Sequence, residues 1–326
     1  MFQTKSGLRL IATVAAATIT IIGAGLPAQA ASKYAVTDAF LKAKFTNGQF
    51  IAGFTPGVAD YGFTLEGILQ RKALGEPRLS LAPAVSYVLE NPTLSGTPSK
   101  PSGFLFDAKG NLKFGIAGKW AFTSAAVSAN NSPLRKQVLK AILSKIDVTG
   151  DLAAGTNANS YDRAWSVLAL SANHQQDRAL ALALKMASHQ LADGGFNDGW
   201  TLGTGSPDGT GITLQALQSV KQFASKKQLA VLNASIAKAV AFLTGTLVTQ
   251  NHYESYGDYN INGTEYAAMG LTAVGKTYSA VKTWILSKLN ADGGLETPWS
   301  AGSGDTYATA QGAVAMLGES YLDLVK

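Results

Sequence analysis

Cysteine is absent from this chain of 326 residues, and histidine occurs only three times. Without cysteine the protein has no disulfide, no thiolate zinc site and no cysteine nucleophile. His174, His189 and His252 form no His-x-x-x-His pair, so we expect no histidine-based metal site, and we expect no cofactor. Calcium bound among Asp193, Asn197 and Asp198 stays open, although their spacing matches no strict calcium loop. The Gly-x-Ser-x-Gly string of the α/β-hydrolases is missing as well, which disfavours a serine enzyme of that type.

The first thirty residues predict a secretory signal. Lys5 and Arg9 precede an apolar run over residues 10–26, and the small residues of 28–30 suit a signal peptidase. The alternative is an uncleaved membrane anchor, for which the run is only about the minimum length. We expect cleavage near residue 30, a mature domain over residues 31–326 and no stable membrane span after cleavage.

The remaining composition indicates an exported protein with a large core. Removing Lys5 and Arg9 lowers the formal charge from +6 to +4, and basic residues otherwise form only short pairs, which does not indicate a nucleic-acid partner. With 46% hydrophobic residues the chain can bury a core without disulfides. An exported chain without cysteine favours secretion or a bacterial cell envelope as its location.

A short cassette occurs twice. Asp-Gly-Gly-Phe at 193–196 precedes Trp200, and Asp-Gly-Gly-Leu at 292–295 precedes Trp299. Aspartate can accept backbone N–H groups in a turn, and paired glycines let the chain reverse. We predict a structural role for the eight residues of the two turns, in which the tryptophans pack over helix ends: Asp193, Gly194, Gly195, Trp200, Asp292, Gly293, Gly294 and Trp299.

Weaker copies extend the pattern to six units. Each pairs an amphipathic segment with a helix rich in small residues, and such helices are buried on most sides. We align the second helices on one small residue in each: Gly67, Ala126, Ala169, Ala216, Gly270 and Gly312. Six hairpins can close into a ring or stack into an open solenoid. Crowded small residues and the lack of polar capping helices favour an all-α protein, an α/α toroid of about six helical hairpins with inner and outer helix rings.

The cassette resembles a known repeat. Gln190, the turn at 193–196, Trp200 and the helix from Thr213 are similar to the QW motif of squalene and terpene cyclases, within the repeat shared with prenyltransferases and cobalamin carriers. The last copy departs from it, with Lys288 where glutamine would fall. The resemblance implies an α/α toroid. The cyclases' Asp-x-Asp-Asp acid and the prenyltransferases' zinc-binding cysteine are both missing, so it implies neither activity.

Our leading functional hypothesis is a non-catalytic protein that binds a small apolar or amphipathic molecule, with a glycan as the alternative ligand. Concave, mostly apolar cavities are the usual ligand sites, and the inner helices carry several aromatic residues. The expected ligand-binding residues are Phe63, Trp120, Trp165, Tyr256, Tyr266 and Tyr307.

The alternative hypothesis is an enzyme: a polysaccharide lyase, a glycoside hydrolase or a divergent cyclase. The loop over residues 250–262 is the most unusual polar segment, and histidine and tyrosine suit proton transfer near neutral pH. Its candidate catalytic residues are His252, Tyr253, Glu254 and Asp258. A glycoside hydrolase needs two converging carboxylates, and the sequence leaves open which of these meet: Asp193, Asp198, Asp208, Glu254, Asp258, Glu296 and Asp305.

Overall fold

Twelve α-helices make up most of the described structure, a computed structural model that describes residues 28–90, 104–106, 111–153, 156, 158–199, 203–255 and 257–325. The odd-numbered helices form an outer ring: α1 Ala28–Lys44, α3 Arg78–Val85, α5 Ser132–Leu143, α7 Gln176–Ser188, α9 Lys226–Thr246 and α11 Ser279–Ser287. The even-numbered helices form an inner ring: α2 Tyr61–Ala73, α4 Phe114–Ala126, α6 Ser160–Ala172, α8 Pro207–Ser219, α10 Ile261–Ala273 and α12 Thr306–Leu317.

Short elements complete these hairpins. A π-helical turn over Ser86–Glu90 extends α3, and 3₁₀ turns cover Lys221–Phe223 and Tyr321–Val325. Two small antiparallel hairpins lie in the loops, β1 Phe45–Thr46 with β2 Phe50–Ile51, and β3 Glu254–Ser255 with β4 Asp258–Tyr259. The predicted signal over residues 1–30 lies almost wholly outside the described residues and stays a prediction.

The inner ring is closed. Each inner helix packs against the next one in the chain, and α12 packs against α2. The α/α toroid is therefore confirmed and the open solenoid is wrong. Glycine explains how closely the helices approach: a Cβ at Gly211 in α8 would lie 2.2 Å from the carbonyl oxygen of Tyr266 in α10. A Cβ at Gly118 in α4 would likewise lie 2.7 Å from the backbone nitrogen of Ser166 in α6.

The long loops meet at one end of the ring, which we call the mouth. They connect each outer helix to the following inner helix, and therefore reach the inner helices at their N-termini. Five of these helices begin with a side chain that accepts a backbone N–H, which satisfies amide groups left free in a first helical turn. These N-caps are Asp60, Asn159, Ser206, Asn260 and Asp305.

A threonine one turn into four inner helices fixes the register of the repeat. Thr64, Thr210, Thr264 and Thr309 each accept a backbone N–H from the preceding loop, at 2.8 to 3.0 Å. Alignment on these threonines pairs Gly312 with Thr213, so the sequence alignment of Gly312 with Ala216 is wrong by three residues. Small residues recur at both positions, which is why composition alone could not settle the register.

The two Asp-Gly-Gly cassettes are tight turns with the same hydrogen bonds. Asp193 accepts from the backbone nitrogens of Gly195 and Gly205, both at 2.8 Å. Asp292 accepts from those of Gly294 and Gly304, both at 3.0 Å. The glycines that follow each aspartate, Gly194 and Gly293, have φ of +87° and +89° in the left-handed region.

The tryptophans that follow the cassettes are less uniform. Trp200 lies outside the described residues. Trp299 is 80% exposed, so the expectation that it packs over a helix end is wrong. Gln190 of the first cassette donates to the carbonyl oxygens of Gly194 and Ser235, and thereby ties the turn to α9.

The C-terminal turn closes the base of the ring. Tyr321 is fully buried, its backbone nitrogen donates to Gln215 in α8, and its hydroxyl accepts from Gln70 in α2. Its ring contacts those of Trp165 and Phe122, with centroids 5.1 and 6.2 Å away. The axis is therefore filled at the base by aromatic side chains.

One helix of the described residues is long and apolar enough to cross a membrane by length and composition. This helix is α9. In its most apolar stretch, 28% of the helix is buried inside the protein. Its buried residues follow the helical period and lie on one face: Leu232, Ser235, Ile236, Ala239 and Leu243.

Candidate functional site

A pocket of about 360 Å³ opens on the axis at the mouth. All six inner helices or the loops before them contribute to it. Its lining is mainly polar: Asp60, Gly62, Phe63, Glu66, Lys119, Tyr161, Asp198, Asp208, Tyr266 and Gln311. We call it the axial pocket. These polar groups lie beside the aromatic rings of Phe63, Tyr161 and Tyr266, so the cavity carries more polar groups at its mouth than the sequence led us to expect.

Glu66 is the centre of the hydrogen-bond network beneath the axial pocket. Its side chain is fully buried and forms an ion pair with Lys119, whose ammonium group donates to Oε1. The hydroxyl of Tyr266 donates to its Oε1 at 2.6 Å, and the amide of Gln311 donates to its Oε2 at 2.7 Å. The Tyr161 hydroxyl lies 3.3 Å from Oε1 and 2.7 Å from the Tyr266 hydroxyl. A buried carboxylate needs this number of partners to offset its lost hydration.

Both tyrosines stay protonated at neutral pH. Burial, followed by the charge of Glu66, raises the pKa of Tyr161 and of Tyr266 well above the usual value. Lys119 adds a cation above aromatic faces, with its Nζ atom 5.1 Å from the ring centroid of Trp165. The network therefore presents hydroxyl and amide groups to the axial pocket, while the charges of Lys119 and Glu66 neutralise each other.

Repeat geometry explains why these residues converge. Each inner helix has one position six residues after its N-cap, and these positions hold Glu66, Lys119, Trp165, Ile212, Tyr266 and Gln311. Equivalent positions in a closed ring lie at one level along the axis. Four of the six line the axial pocket, and Trp165 contacts Lys119 beneath it.

A second cavity of about 810 Å³, which we call the groove, adjoins the axial pocket. The loops of the last three units form it: Asp198, Gly205, Ser206, Pro207, Asp208, Glu254, Ser255, Tyr259, Asn260, Ile261, Asn262, Thr297, Pro298 and Trp299. Asp198 and Asp208 line both cavities. This carboxyl pair therefore stands where the two cavities meet.

The two carboxyl groups of this pair are electrostatically coupled. Burial is the main cause that raises the pKa of Asp208 to about 6, and the negative charge of Asp198 is the second cause. A hydrogen bond with the Asn260 side chain acts in the opposite direction, but is the weaker effect. Asp208 is therefore a carboxylic acid that can hold or release a proton close to neutral pH.

Another buried carboxyl group lies between α10 and α12. Glu265 is fully buried, and neither carboxyl oxygen has a hydrogen-bond partner among the described residues. Burial, followed by the charges of Asp208, Asp305 and Glu66, raises its pKa well above the usual value, which favours the protonated, uncharged form. Gly312 makes room for it, because a Cβ there would lie 2.2 Å from Oε1.

The predicted ligand-binding aromatic residues are divided between the mouth and the core. Phe63 and Tyr266 line the axial pocket, and Tyr307 contacts Phe63 with ring centroids 4.2 Å apart. Trp120 is buried and donates its indole N–H to the carbonyl oxygen of Val88, so it lines neither cavity. Trp165 lies beneath the axial pocket, and Tyr256 is outside the described residues.

The candidate catalytic loop faces away from the axial pocket for the most part. His252 stacks on Trp284 of α11, with centroids 4.7 Å apart. Tyr253 is buried and its hydroxyl donates to the carbonyl oxygen of Leu243. Glu254 lines the groove, whereas Asp258 is exposed and lines neither cavity. The structure thus brings Glu254 to the site and does not bring the other three side chains to the carboxyl pair.

Sequence reasoning missed most of the axial network. Glu66, Lys119, Tyr161 and Gln311 were not among the predicted site residues. A charged residue within a helix of small and apolar residues was the available signal, because such a helix is buried on most sides. Among the described residues, no group of three or more His, Asp or Glu side chains is arranged to hold a metal ion.

No protein-family model matches the chain, and no curated protein matches it either. Solved structures do. The type II terpene cyclase MstE from Scytonema is 15% identical with a TM-score of 0.63, over 89% of this chain and 98% of that one. The GH76A α-1,6-mannanase of Salegentibacter sp. HEL1_6 is 12% identical with a TM-score of 0.63, over 91% of this chain and 100% of that one.

A third similar structure is the unsaturated glucuronyl hydrolase of Bacillus sp. GL1, 12% identical with a TM-score of 0.59, over 89% of this chain and 96% of that one. A variant of MstE has been solved in complex with geranylgeranyl dihydroxybenzoate, and an inactive variant of the mannanase with α-1,6-mannotriose. At these identities the similarity shows the fold, a terpenoid-cyclase-like α/α toroid, and it spans nearly the whole of each chain.

Proposed function

We propose that this protein is a glycoside hydrolase whose active site is the carboxyl pair at the mouth of the toroid. Asp208 acts as the general acid that protonates the leaving oxygen. Asp198 acts as the second carboxylate, the base or nucleophile on the other side of the scissile bond. Enzymes of this class use two carboxyl groups whose environments separate their pKa values.

The position and coupling of Asp198 and Asp208 carry this proposal. They are the two carboxyl groups that line both the axial pocket and the groove, so a substrate occupying both cavities has a bond beside the pair. Asp208, with a pKa raised to about 6, retains a proton in mildly acidic solution, as a general acid must.

The surroundings of the pair suit a sugar better than an apolar chain. The axial pocket offers Tyr161, Tyr266 and Gln311 as hydrogen-bonding groups for sugar hydroxyls. The groove adds Asn260 and Asn262 beside the exposed face of Trp299. Aromatic rings pack against the apolar faces of sugars while polar neighbours bind the hydroxyls. Two of the similar solved structures are carbohydrate hydrolases by name, which supports the same choice.

We also propose that the protein is exported. The predicted signal over residues 1–30 would place the enzyme outside the cytoplasm or in a bacterial cell envelope, where it meets extracellular or cell-wall glycans. Detection of a mature N-terminus near residue 31 in culture supernatant or an envelope fraction would support this, and retention of residues 1–30 in the cytoplasmic fraction would contradict it.

Hydrolysis assays with matched variants test the function. The mature protein would be incubated at pH 5 to 6 with α-1,6-manno-, β-1,4-gluco- and β-1,4-chito-oligosaccharides, and the products identified by mass spectrometry. We expect cleavage of at least one series, and a loss of about 10²–10⁴-fold in Asp208→Asn and in Asp198→Asn. Asp177→Asn, on the outer helix α7, is the control and should retain activity. Cleavage that survives Asp208→Asn would contradict the assignment.

Binding of an amphipathic small molecule without turnover is the second candidate function. Ile261, Pro298 and Trp299 give the groove an apolar side, and MstE binds a prenylated aromatic substrate. Incubation of the mature protein with an envelope lipid extract, followed by native mass spectrometry, tests it. A bound molecule released by Trp299→Ala supports this function, and an unchanged protein mass counts against it.

A further inference from the structure

We propose that the protein takes its glycan by a chain end, with the terminal sugar in the axial pocket and the following sugars in the groove. At the bond beside Asp198 and Asp208, Asp208 protonates the leaving oxygen and a water molecule supplies the new hydroxyl group on the anomeric carbon, so that one terminal sugar is released at a time. This inference rests on the proposed function, because it assigns the two cavities to the two sides of the same scissile bond.

The axial pocket is blind at its lower end. The Tyr161 and Tyr266 hydroxyls and the buried Glu66 close it from below. Beneath them the ring centroid of Tyr321 lies 6.3 Å from that of Tyr266 and 5.1 Å from that of Trp165. The described side chains therefore leave no passage for a glycan chain through the ring along its axis.

The inner helices form the side walls of the axial pocket, and each packs against its neighbours all round the ring. The contact is closest where Gly118 brings α4 against α6 and Gly211 brings α8 against α10, because a single Cβ there would collide with the facing backbone. Among the described residues, the mouth is therefore the opening through which a sugar inside the pocket can be connected to the rest of a chain.

At the mouth, the groove is the cavity that continues from the axial pocket past the carboxyl pair. Its volume of about 810 Å³ exceeds the 360 Å³ of the axial pocket, so it accommodates more of the ligand. Trp299, 80% exposed, lies in the groove wall and offers an aromatic face to a sugar beyond the scissile bond.

Phe54 provides the matched comparison for Trp299. It is 90% exposed, contacts Tyr307 at the rim with centroids 5.3 Å apart, and lines neither cavity. A chain that enters by its end would contact Trp299 and not Phe54. A chain that lies across the whole mouth would run over the rim and contact Phe54 as well.

Product analysis on the active protein tests the inference first. The probes are α-1,6-manno-, β-1,4-gluco- and β-1,4-chito-oligosaccharides of one to six sugars, each also prepared with methyl groups blocking the terminal sugars at both ends. We expect a monosaccharide as the first product from the earliest time point, and at least tenfold slower cleavage of the blocked chains. Internal fragments as first products, or equal cleavage of blocked chains, would overturn chain-end entry and leave the hydrolase function standing.

Calorimetric binding to the Asp208→Asn protein separates failure of the inference from failure of the function. Affinity should rise from one to about three sugars. Trp299→Ala should weaken trisaccharide binding about tenfold without changing monosaccharide binding, and Phe54→Ala should change neither. This pattern without any turnover by the active protein would support chain-end binding and contradict the hydrolase. Equal losses in the two variants, or no binding by any probe, would overturn the inference.

Discussion

The hydroxyl group of Tyr266 donates to Oε1 of Glu66 at 2.6 Å, across an interval of 200 residues in the chain. This hydrogen bond joins α10 to α2 at the axis. Lys119 from α4, Tyr161 from α6 and Gln311 from α12 are further partners of the same carboxylate. The centre of the toroid is therefore held by a buried charge and the groups that compensate it, which makes its stability sensitive to the loss of any partner.

Removal of the Lys119 cation should strongly destabilise the protein. Lys119→Met leaves the Glu66 carboxylate buried without its counter-ion, which costs about 3–5 kcal/mol. The double variant Glu66→Gln with Lys119→Met removes both charges and should recover most of that loss. Urea unfolding followed by circular dichroism gives the free energies of unfolding. A double variant as unstable as Lys119→Met would show that the ion pair is not the cause.

The pKa of Asp208 should fall when Asp198 loses its charge. A neighbouring carboxylate disfavours ionisation, so Asp198→Asn stabilises the ionised form of Asp208 and lowers its pKa below about 6. The decrease should be partial, because burial is the larger cause of the rise. Carbon-13 NMR titration of the aspartate carboxyl groups measures it, with Asp177→Asn as the control. An unchanged Asp208 pKa in Asp198→Asn would show that the two groups are not coupled.

Replacement of Glu265 by glutamine should change how stability depends on pH. The pKa of Glu265 is raised in the folded protein, whereas a glutamate in the unfolded chain ionises near pH 4.3. A raised folded-state pKa stabilises the fold fully below pH 4.3, and this contribution is lost as pH rises toward the folded pKa.

The Glu265→Gln variant has no proton to lose, so it should match the native protein below about pH 4 and become the more stable of the two as the pH increases. Urea denaturation at a series of pH values supplies the comparison. A difference in unfolding free energy that stays constant with pH would mean that folding does not raise the pKa of Glu265. Asp177→Asn should track the native protein throughout.

The two cassette aspartates should contribute similar and additive amounts to stability. Each accepts two backbone N–H groups in the same turn geometry, so Asp193→Ala and Asp292→Ala should each cost about 1–2 kcal/mol. The turns lie in different hairpins and share no partner, so the losses in the double variant should add within about 0.5 kcal/mol. Thermal unfolding measures all three variants, and an unaffected midpoint in either single variant would contradict a turn-stabilising role.

The architecture could be predicted from the sequence because each unit repeats the same local pattern of residues. The turn at Asp193 recurs at Asp292, and the six helices of small residues indicate a crowded axis. The register could not be predicted, since Thr213 and Ala216 are both small and only the hydrogen bond from Phe196 to Thr210 separates the alternatives.

The candidate site was less accessible to sequence reasoning. Asp198 and Asp208 were among seven carboxylates expected at the mouth, but their convergence depends on the fold of a loop rather than on spacing. Glu66 and Lys119 come from the first two inner helices, whereas Gln311 comes from the last, and only ring closure brings it to Glu66. The polar composition of the loop over residues 250–262 suggested a catalytic role, whereas in the structure His252 stacks on Trp284.

The measurement that tests the central claim most directly is the cleavage of defined oligosaccharides by the mature protein and its Asp208→Asn variant at pH 5 to 6. We predict release of sugar by the native protein, a loss of about 10²–10⁴-fold in Asp208→Asn, and retained folding by circular dichroism. Equal cleavage by both proteins, or no cleavage of any oligosaccharide by the native protein, would contradict the assignment of Asp208 as the general acid of a glycoside hydrolase.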